Sequence, residues 1–493
     1  MGIPYYFYSL TQKYKDIILK KIPKNPDIYA IDFNGIIHPV AAKIIKNNGN
    51  EDDIIEELWK KINEIKINKI YVCVDGIAPI AKIIQQRKRR YLTVYKNKID
   101  KIETKWDTNA ISPGTNFMIK LNNFIKNKVR YNSSEYNIIY SGSDENGEGE
   151  HKIFDKLKFE ENGKVIVING LDADLIILSM LSGKSNIYLM RESADEYVNY
   201  LSIDNLKIAI IKELKNKWNI IEEDVNEIDL IESYCVMCTI LGNDFIPHQL
   251  TLNLKDNGLD KLINITGIAI KNNGLLVSNN TINYECLIEI FEKIAATEDV
   301  DIIKEIQKYI IKKPSSNINS EEYAIKNKDK LAYSIYNGDI NKWRYLYYKN
   351  IFNINISIDT SIINQSCYNY IKGIYWTYNY YKKINLDHEW YYPYNYPPTS
   401  KDLANYIKVN KIEDINAKGH FIDNNMQLLL ILPKESINLI KDKYKIYMID
   451  ISGGLLHMYP SSYKIQTFLK NHLWECSPVL PAINIERIRK IIK

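Results

Sequence analysis

The chain has little of what would carry it out of the cell or into a bilayer. No basic stretch followed by an apolar one opens it, and no run of about 18 uncharged apolar residues occurs, so the sequence reads as soluble and cytoplasmic with no membrane partner. It has only six cysteines and seven histidines in 493 residues. The one close cysteine pair, Cys235 and Cys238, lies in a helix-like apolar run with no second pair to complete a zinc site. The cysteines are therefore expected to be reduced core thiols. The net charge is only +5, a total that an acidic centre and a basic surround could share, so the distribution of charge matters more than its sum. No internal repeat is visible, and the residues identify no protein partner.

What is present is ample apolar content, 45% of the chain, enough for two or three domains. Between residues 27 and 191, short β-branched runs alternate with longer amphipathic ones. Strands are expected near 28–33, 69–74, 137–140, 164–168 and 186–190, and helices near 52–65, 79–95, 115–128, 150–159 and 172–181. This alternation predicts an α/β fold with a twisted, mainly parallel sheet flanked by helices, whose ligands bind beyond the carboxyl ends of the strands. A further helix over 227–241 ends at Gly242, next to Asp244. An Asn- and Lys-rich span, 256–329, is expected to be a helical connection between a first domain, 1–255, and an aromatic-rich, mostly helical second region, 330–493.

Carboxylates recur at one place in this pattern. Asp32 ends the first strand, Asp75 follows the second, Glu148 and Glu150 follow the third, and Asp172 and Asp174 follow the fourth. Asp244 is a seventh candidate. Two carboxylates about 4 Å apart repel by roughly 4 kcal/mol at an effective dielectric near 20, so such a cluster must be protonated, solvated or neutralised by a cation. Alone, the segment GEGEH could be a solvated acidic turn, and an Asp after a strand is often a helix cap. The shared placement favours metal. All-oxygen ligation points to Mg²⁺ or Mn²⁺ over zinc, and two such ions could activate a water and stabilise a leaving oxygen.

The run AKIIQQRKRRY after Asp75 places Lys82, Gln86, Arg89 and Arg90 within about one third of a helix circumference. Three cations and an amide on one face suit a terminal phosphate. The alternatives are a solvated basic face or a nuclear-localisation match. His38 lies near the same edge and could stack on a base, or simply pack within its loop. Trp376 and Trp390 belong to a dense aromatic stretch that reads either as core or as a stacking surface.

These residues resemble the XRN-type 5′→3′ exoribonucleases of the flap-endonuclease-like superfamily. The matching motifs are MGIPYYFYSL, IDFNGIIH, VDGIAPIAKIIQQRKRR, ISPGTNFM, GEGEHKI, GLDADLI, LGNDFIPH, KGIYW, WYYPYNYPP and LWECSPVLP. The resemblance implies that Asp32, Asp75, Glu148, Glu150, Asp172, Asp174 and Asp244 bind divalent metal. It implies that Lys82, Gln86, Arg89 and Arg90 hold a 5′-monophosphate, and that the second region encloses the site. It also implies that His38 stacks on a base, with a Trp of the second region at the far end of the stack; Trp376 is favoured and Trp390 is the reserve. The expected activity is metal-dependent, processive degradation of single-stranded RNA bearing a 5′-monophosphate to 5′-mononucleotides. A structure-specific endonuclease or DNA exonuclease of the same superfamily, or a non-catalytic RNA-binding protein, are the alternatives. Two departures stand out. Asn146 replaces the usual Pro before GEGEH, which is expected to loosen the turn, and the C-terminal domains of the large members have no counterpart in the sequence, which leaves partner binding and processivity open.

Overall fold

The structure, a computed structural model, describes residues 2–131, 137–170, 172–192, 198–220, 225–315, 320–412 and 419–492. Its centre is a seven-stranded sheet in the order β1-β7-β6-β5-β2-β3-β4. The strands are β1 (Ile18–Leu19), β2 (Ile28–Asp32), β3 (Lys69–Cys73), β4 (Asn137–Ser141), β5 (Ile166–Asn169), β6 (Ile187–Glu192) and β7 (Val198–Ser202). Strands β4, β3, β2, β5 and β6 run parallel, while β7 and β1 close one edge antiparallel. The expected mainly parallel sheet is thus present. The antiparallel β1 and β7 were not anticipated, because neither two residues nor the polar sequence VNYLS gives a strong strand signal.

Alternation along the central strands divides the core between the two faces. Ala30, Tyr71 and Cys73 point into the larger core, with Leu157, Ile176 and Tyr234. Ile31, Ile70, Val72 and Val74 point the other way, against Ile37, Leu58 and Leu121. Helices α1 (Tyr6–Lys13), α2 (Asn34–Lys46), α3 (Glu51–Asn63), α4 (Ile80–Asp100), α5 (Asn116–Tyr131), α6 (Gly149–Leu157), α7 (Asp174–Leu181), α8 (Ile203–Trp218) and α9 (Glu227–Thr239) accompany the sheet. The expected helices recur within a few residues, except that α4 continues to Asp100 and ends at Lys101 in a left-handed conformation.

The span expected to be a connection is built largely of two long helices, α10 (Gly258–Asn273) and α11 (Tyr284–Ile311). Their apolar stripes, such as Leu259, Leu262, Ile263 and Ile270, then Leu287, Ile290, Phe291 and Ile294, belong to the main core. The short α12 (Tyr323–Lys326) sits in a small core of its own, Ala324 with Ile465, Leu473 and Cys476, while the main core runs on into α13 (Lys330–Tyr336), α14 (Trp343–Tyr347), α15 (Ser361–Lys382) and α16 (Ser400–Val409). The Asn and Lys of the span are its solvent faces. A separate core joins α4, through Ile80, Ile83 and Ile84, to α17 (Asn424–Ile431) and the C-terminal segment. Among the described residues, no helix is long and apolar enough to cross a membrane.

Candidate active site

The parallel register brings the strand ends level. Asp32 pairs with Cys73, and Cys73 in turn with Ser141, while Ile31 lies opposite Asn169. Whatever follows β2, β3, β4 and β5 therefore emerges at one edge. Asp75 then accepts the backbone N–H of Gly149 on Oδ1 at 2.7 Å, and its own N–H donates to Asn34 Oδ1 at 3.0 Å. A Cβ at Gly149 would stand 2.8 Å from Asp32 Oδ1 and 2.9 Å from the Cys73 carbonyl. The glycine is what lets α6 start against both aspartates.

The preceding turn is tied down from outside. Gly76 donates to the Gly147 carbonyl at 2.9 Å, Gly147 donates to the Ile77 carbonyl at 2.8 Å, and the Lys152 ammonium bridges the carbonyls of Val74 and Gly142. Asn146 is exposed on this turn and takes no part in these bonds. The bonds that close the turn do not involve the residue that departs from the family pattern.

Glu148 and Glu150 are only 4% exposed and Asp174 is fully buried. Lys82 is buried among them, with Nζ 2.5 Å from Glu148 and 2.9 Å from Asp244. Burial opposes its charge, but Asp244 and Glu148 hold its pKa well above the ordinary lysine value. Asp244, although buried, is held below the usual carboxylate range by the same lysine. Four of the acids, Asp32, Glu148, Glu150 and Asp174, move up. Burial and then Asp75 and Asp172 raise Asp32, burial and then Asp174 raise Glu150, and burial with Asp244 pushes Asp174 up to about 7. One lysine cannot neutralise this set.

Three buried atoms aimed into the cluster have no hydrogen-bond partner: Glu150 Oε1, Asp174 Oδ2 and His151 Nε2. Ligand atoms of Glu148, Glu150 and His151 lie within 4.8 Å of one another, the one such group of His, Cys, Asp or Glu among the described residues. Buried oxygens without partners, in excess of nearby cations, are a donor set that a hard divalent cation would satisfy. His151 adds an imidazole that the expected all-oxygen set omitted. Burial first, then Lys383 and Lys82, keep it neutral and able to accept or ligate.

The second region completes this edge. On α15, the Tyr380 hydroxyl donates to Glu148 and the Tyr381 hydroxyl donates to Asp174 Oδ1 at 2.8 Å. The Tyr380 ring lies 4.0 Å from His151 and stacks on Trp376 at 5.0 Å. At the other chain end, Gly2 lies against Asp174: a Cβ there would come within 2.3 Å of Oδ1. Tyr380, Tyr381, His151 and Gly2 were missed as site residues. Their signals were the aromatic density near 380, the His of GEGEH and the opening MGIP.

The basic face divides. Arg89 is exposed and Gln86 half-buried, and neither has a side-chain partner among the described residues. Arg90 donates through Nη2 to Ser112 Oγ at 2.8 Å, while its Nη1 is buried and unpaired. Burial, together with Arg89, pushes the Arg90 guanidinium down to about 9, so an anion there would relieve it. Lys82 differs from the expectation: both its carboxylate partners make it an internal counter-ion of the acidic cluster. His38 is exposed on α2. Crowding around the ring and the charges of Arg89 and Arg90 lower its pKa while Asp75 raises it, which places the imidazole beside the basic face.

The tryptophan expectation needs correction. Trp376 is fully buried, its Nε1 donates to the Asp387 carbonyl at 2.7 Å, and its ring is enclosed by Tyr380, Phe245 and Trp390. Trp390 is 6% exposed and packs on Gly373. Neither offers an open ring to a base; both brace the tyrosines that touch the acids.

Comparison with known proteins agrees with this architecture. Family models described as "XRN 5'-3' exonuclease N-terminus" and "Xrn1 helical domain" match residues 1–193 and residues 224–341 with 338–493. Human 5'-3' exoribonuclease 1 is 26% identical over 99% of this chain, which spans 34% of that protein's length. Chicken 5'-3' exoribonuclease 2 is 22% identical over 100% of the chain and 70% of its own length. Saccharomyces cerevisiae 5'-3' exoribonuclease 1 is 23% identical over 99% of the chain and 43% of its own length. With the sheet edge, its acids and the enclosing helices in the places these matches cover, the chain belongs to the XRN family of 5′→3′ exonucleases.

Proposed function

We propose that the protein is a divalent-metal-dependent 5′→3′ exoribonuclease that processively degrades single-stranded RNA carrying a 5′-monophosphate, releasing 5′-mononucleotides. In this reading residues 1–255 carry the chemistry and 330–493 enclose it, joined through 256–329. The observation that carries it is the set of unpaired buried atoms Glu150 Oε1, Asp174 Oδ2 and His151 Nε2 within a cluster of seven acids. Asp32, Asp75, Glu148, Glu150, Asp172, Asp174 and Asp244 would hold Mg²⁺ or Mn²⁺, two ions in the full site. Bound there, the metal would supply an activated water and charge stabilisation for the leaving oxygen.

The chain's own residues do the rest. Arg89, Gln86 and the unpaired Nη1 of Arg90 receive the terminal phosphate, and the exposed His38 beside them offers a ring to the first base. Lys82 holds Asp244 ionised and opposes the effect of burial on Glu148. Tyr380 and Tyr381 orient Glu148 and Asp174 and keep bulk water away from them. Because the acids lie under α15, a free strand end can reach them far more readily than an internal bond, which favours end-wise cleavage. A cap or triphosphate adds groups beyond the donors that Arg89, Arg90 and Gln86 provide.

Asp172→Asn tests the reading. It removes one anion at a position outside the apolar core, so cleavage of 5′-phosphorylated RNA should fall by at least about 100-fold with the thermal transition retained. Undiminished cleavage would refute the assignment.

A further inference from the structure

Along α4, Gln85, Lys88 and Leu92 form a second stripe, with Lys88 turned about 160° away from Arg90. This stripe faces a cavity of about 250 Å³ whose opposite wall includes Asp244, Lys470 and Trp474. Asp244 in the wall connects the cavity to the acidic cluster. A second cavity of about 180 Å³ shares Lys88, Tyr391 and Tyr394 with the first and continues past Phe352 to Pro481. The shared residues make the two cavities adjoin as one passage along α4, lined also by Arg89 and walled by residues within 2–5 and 241–254 as well as by the second region.

The passage holds two lysines, Lys88 and Lys470, that make no contact ion pair among the described residues. Lys88 has no hydrogen bond or ion pair among the described residues, and burial pushes its ammonium down to about 8. Lys470 meets only a neutral partner: its Nζ lies 3.1 Å from His248 Nε2, and burial and the lysine itself push that imidazole down to about 4. The nearby Glu475 acts on Lys470 through its charge but makes its hydrogen bonds elsewhere, accepting the N–H groups of Asn471 and His472. Aromatic rings line the same route: Tyr5 and Trp474 lie 5.6 Å apart at one end, with Tyr391 and Tyr394 further along. Unpaired cations interleaved with rings along a groove are the chemistry of a single nucleic-acid strand.

We infer that Lys88 and Lys470 clamp the internucleotide phosphates of the RNA strand downstream of the cleaved bond, one from each wall of this passage. The inference rests on the exoribonuclease reading and adds two strand-positioning residues outside the terminal-phosphate face. An elongated passage suits a strand better than a released mononucleotide, which would fill only one of the two cavities.

The test is equilibrium binding of a 5′-phosphorylated oligouridine dodecamer to the full chain in EDTA, followed by fluorescence anisotropy across a salt series. Lys88→Gln and Lys470→Gln should each lower the slope of log affinity against log salt by about 0.7 and weaken binding about tenfold. A trimer should lose less, Lys88→Arg should restore the slope, and thermal melts should show each variant folded. Unchanged slope and affinity in both glutamine variants would overturn the clamp. So would loss of uridine 5′-monophosphate binding with dodecamer binding intact, which would make the cavity a product pocket. Cleavage of the same RNA by the unaltered protein with Mg²⁺ separates the two readings. No cleavage with altered slopes overturns the exoribonuclease reading alone, and cleavage with unaltered slopes overturns the clamp alone.

Discussion

Gly149 has no room for a side chain, since a Cβ would meet the Asp32 carboxylate at 2.8 Å and a backbone carbonyl at 2.9 Å. Gly149→Ala must therefore shift α6 or β3, and should cost about 1–3 kcal/mol in urea unfolding as well as most of the activity. Wild-type stability would show that the loop has slack. Tyr380→Phe is the gentler probe: the stack on Trp376 stays, and only the hydroxyl on Glu148 is lost. Metal affinity or turnover should drop by about 10- to 100-fold while the melting temperature changes little. At this scale six of the acids were legible in the sequence because they follow the ends of four strands, and Asp244 because it follows a helix end. The tyrosines were not, because the Tyr380 contact closes over 232 residues. Tryptophans in an aromatic-rich helix do not announce which rings remain open, and here Trp376 and Trp390 turned inward.

Helix α4 can present two stripes, one for each proposed role, because its remaining side is anchored. Arg87 is 2% exposed, donates from Nη1 to the Leu430 carbonyl at 2.6 Å and from Nη2 to the Met458 carbonyl, and lies over the Tyr91 ring at 4.9 Å. Arg87→Ala removes the donor to the Leu430 carbonyl and leaves the Met458 carbonyl only the long bond from the Tyr91 hydroxyl, and should destabilise by about 3 kcal/mol or more, read as a lower denaturation midpoint. What Arg87 holds was not legible in the sequence, since its partners lie more than 340 residues away. Helices α10 and α11 were underread for a different reason: abundant Asn and Lys masked a regular apolar stripe. In α11 the fully buried Glu298 accepts the N–H groups of Ser400 and Lys401 that open α16. Burial, opposed by those amides, raises its pKa from 4.5 to about 7. Its folded state thus binds a proton that the unfolded chain has released, so this contribution to stability is complete below about 4.5 and is lost as pH rises to about 7. Glu298→Gln should flatten that part of the stability profile, a difference on the order of 3 kcal/mol between the two limits. An unchanged profile would remove Glu298 as its source.

For the whole molecule, two regions far apart in sequence share one site: β2 to β5 present the acids and α15 covers them. The parallel sheet was legible from alternating apolar runs, because period and strand-end chemistry are local properties. The way the second region closes over the edge was not, since it depends on packing between helices more than 200 residues from the strands they cover. On the proposed reading, a buried acidic cluster whose Glu150 Oε1 and Asp174 Oδ2 lack hydrogen-bond partners among the described residues would make the folded chain a better metal host than the unfolded one. Saturating Mg²⁺ at about 100 times its dissociation constant should then stabilise it by about 2.7 kcal/mol over EDTA, and Glu150→Gln should reduce that gain. The central claim is tested most directly by digesting matched single-stranded RNAs that differ only in the 5′ end, monophosphate, triphosphate, cap or hydroxyl, with Mg²⁺ and with EDTA. Mononucleotides should be released from the 5′ end of the monophosphate RNA alone, and only with Mg²⁺. Cleavage that ignores the 5′ end, yields internal fragments or persists in EDTA would contradict it.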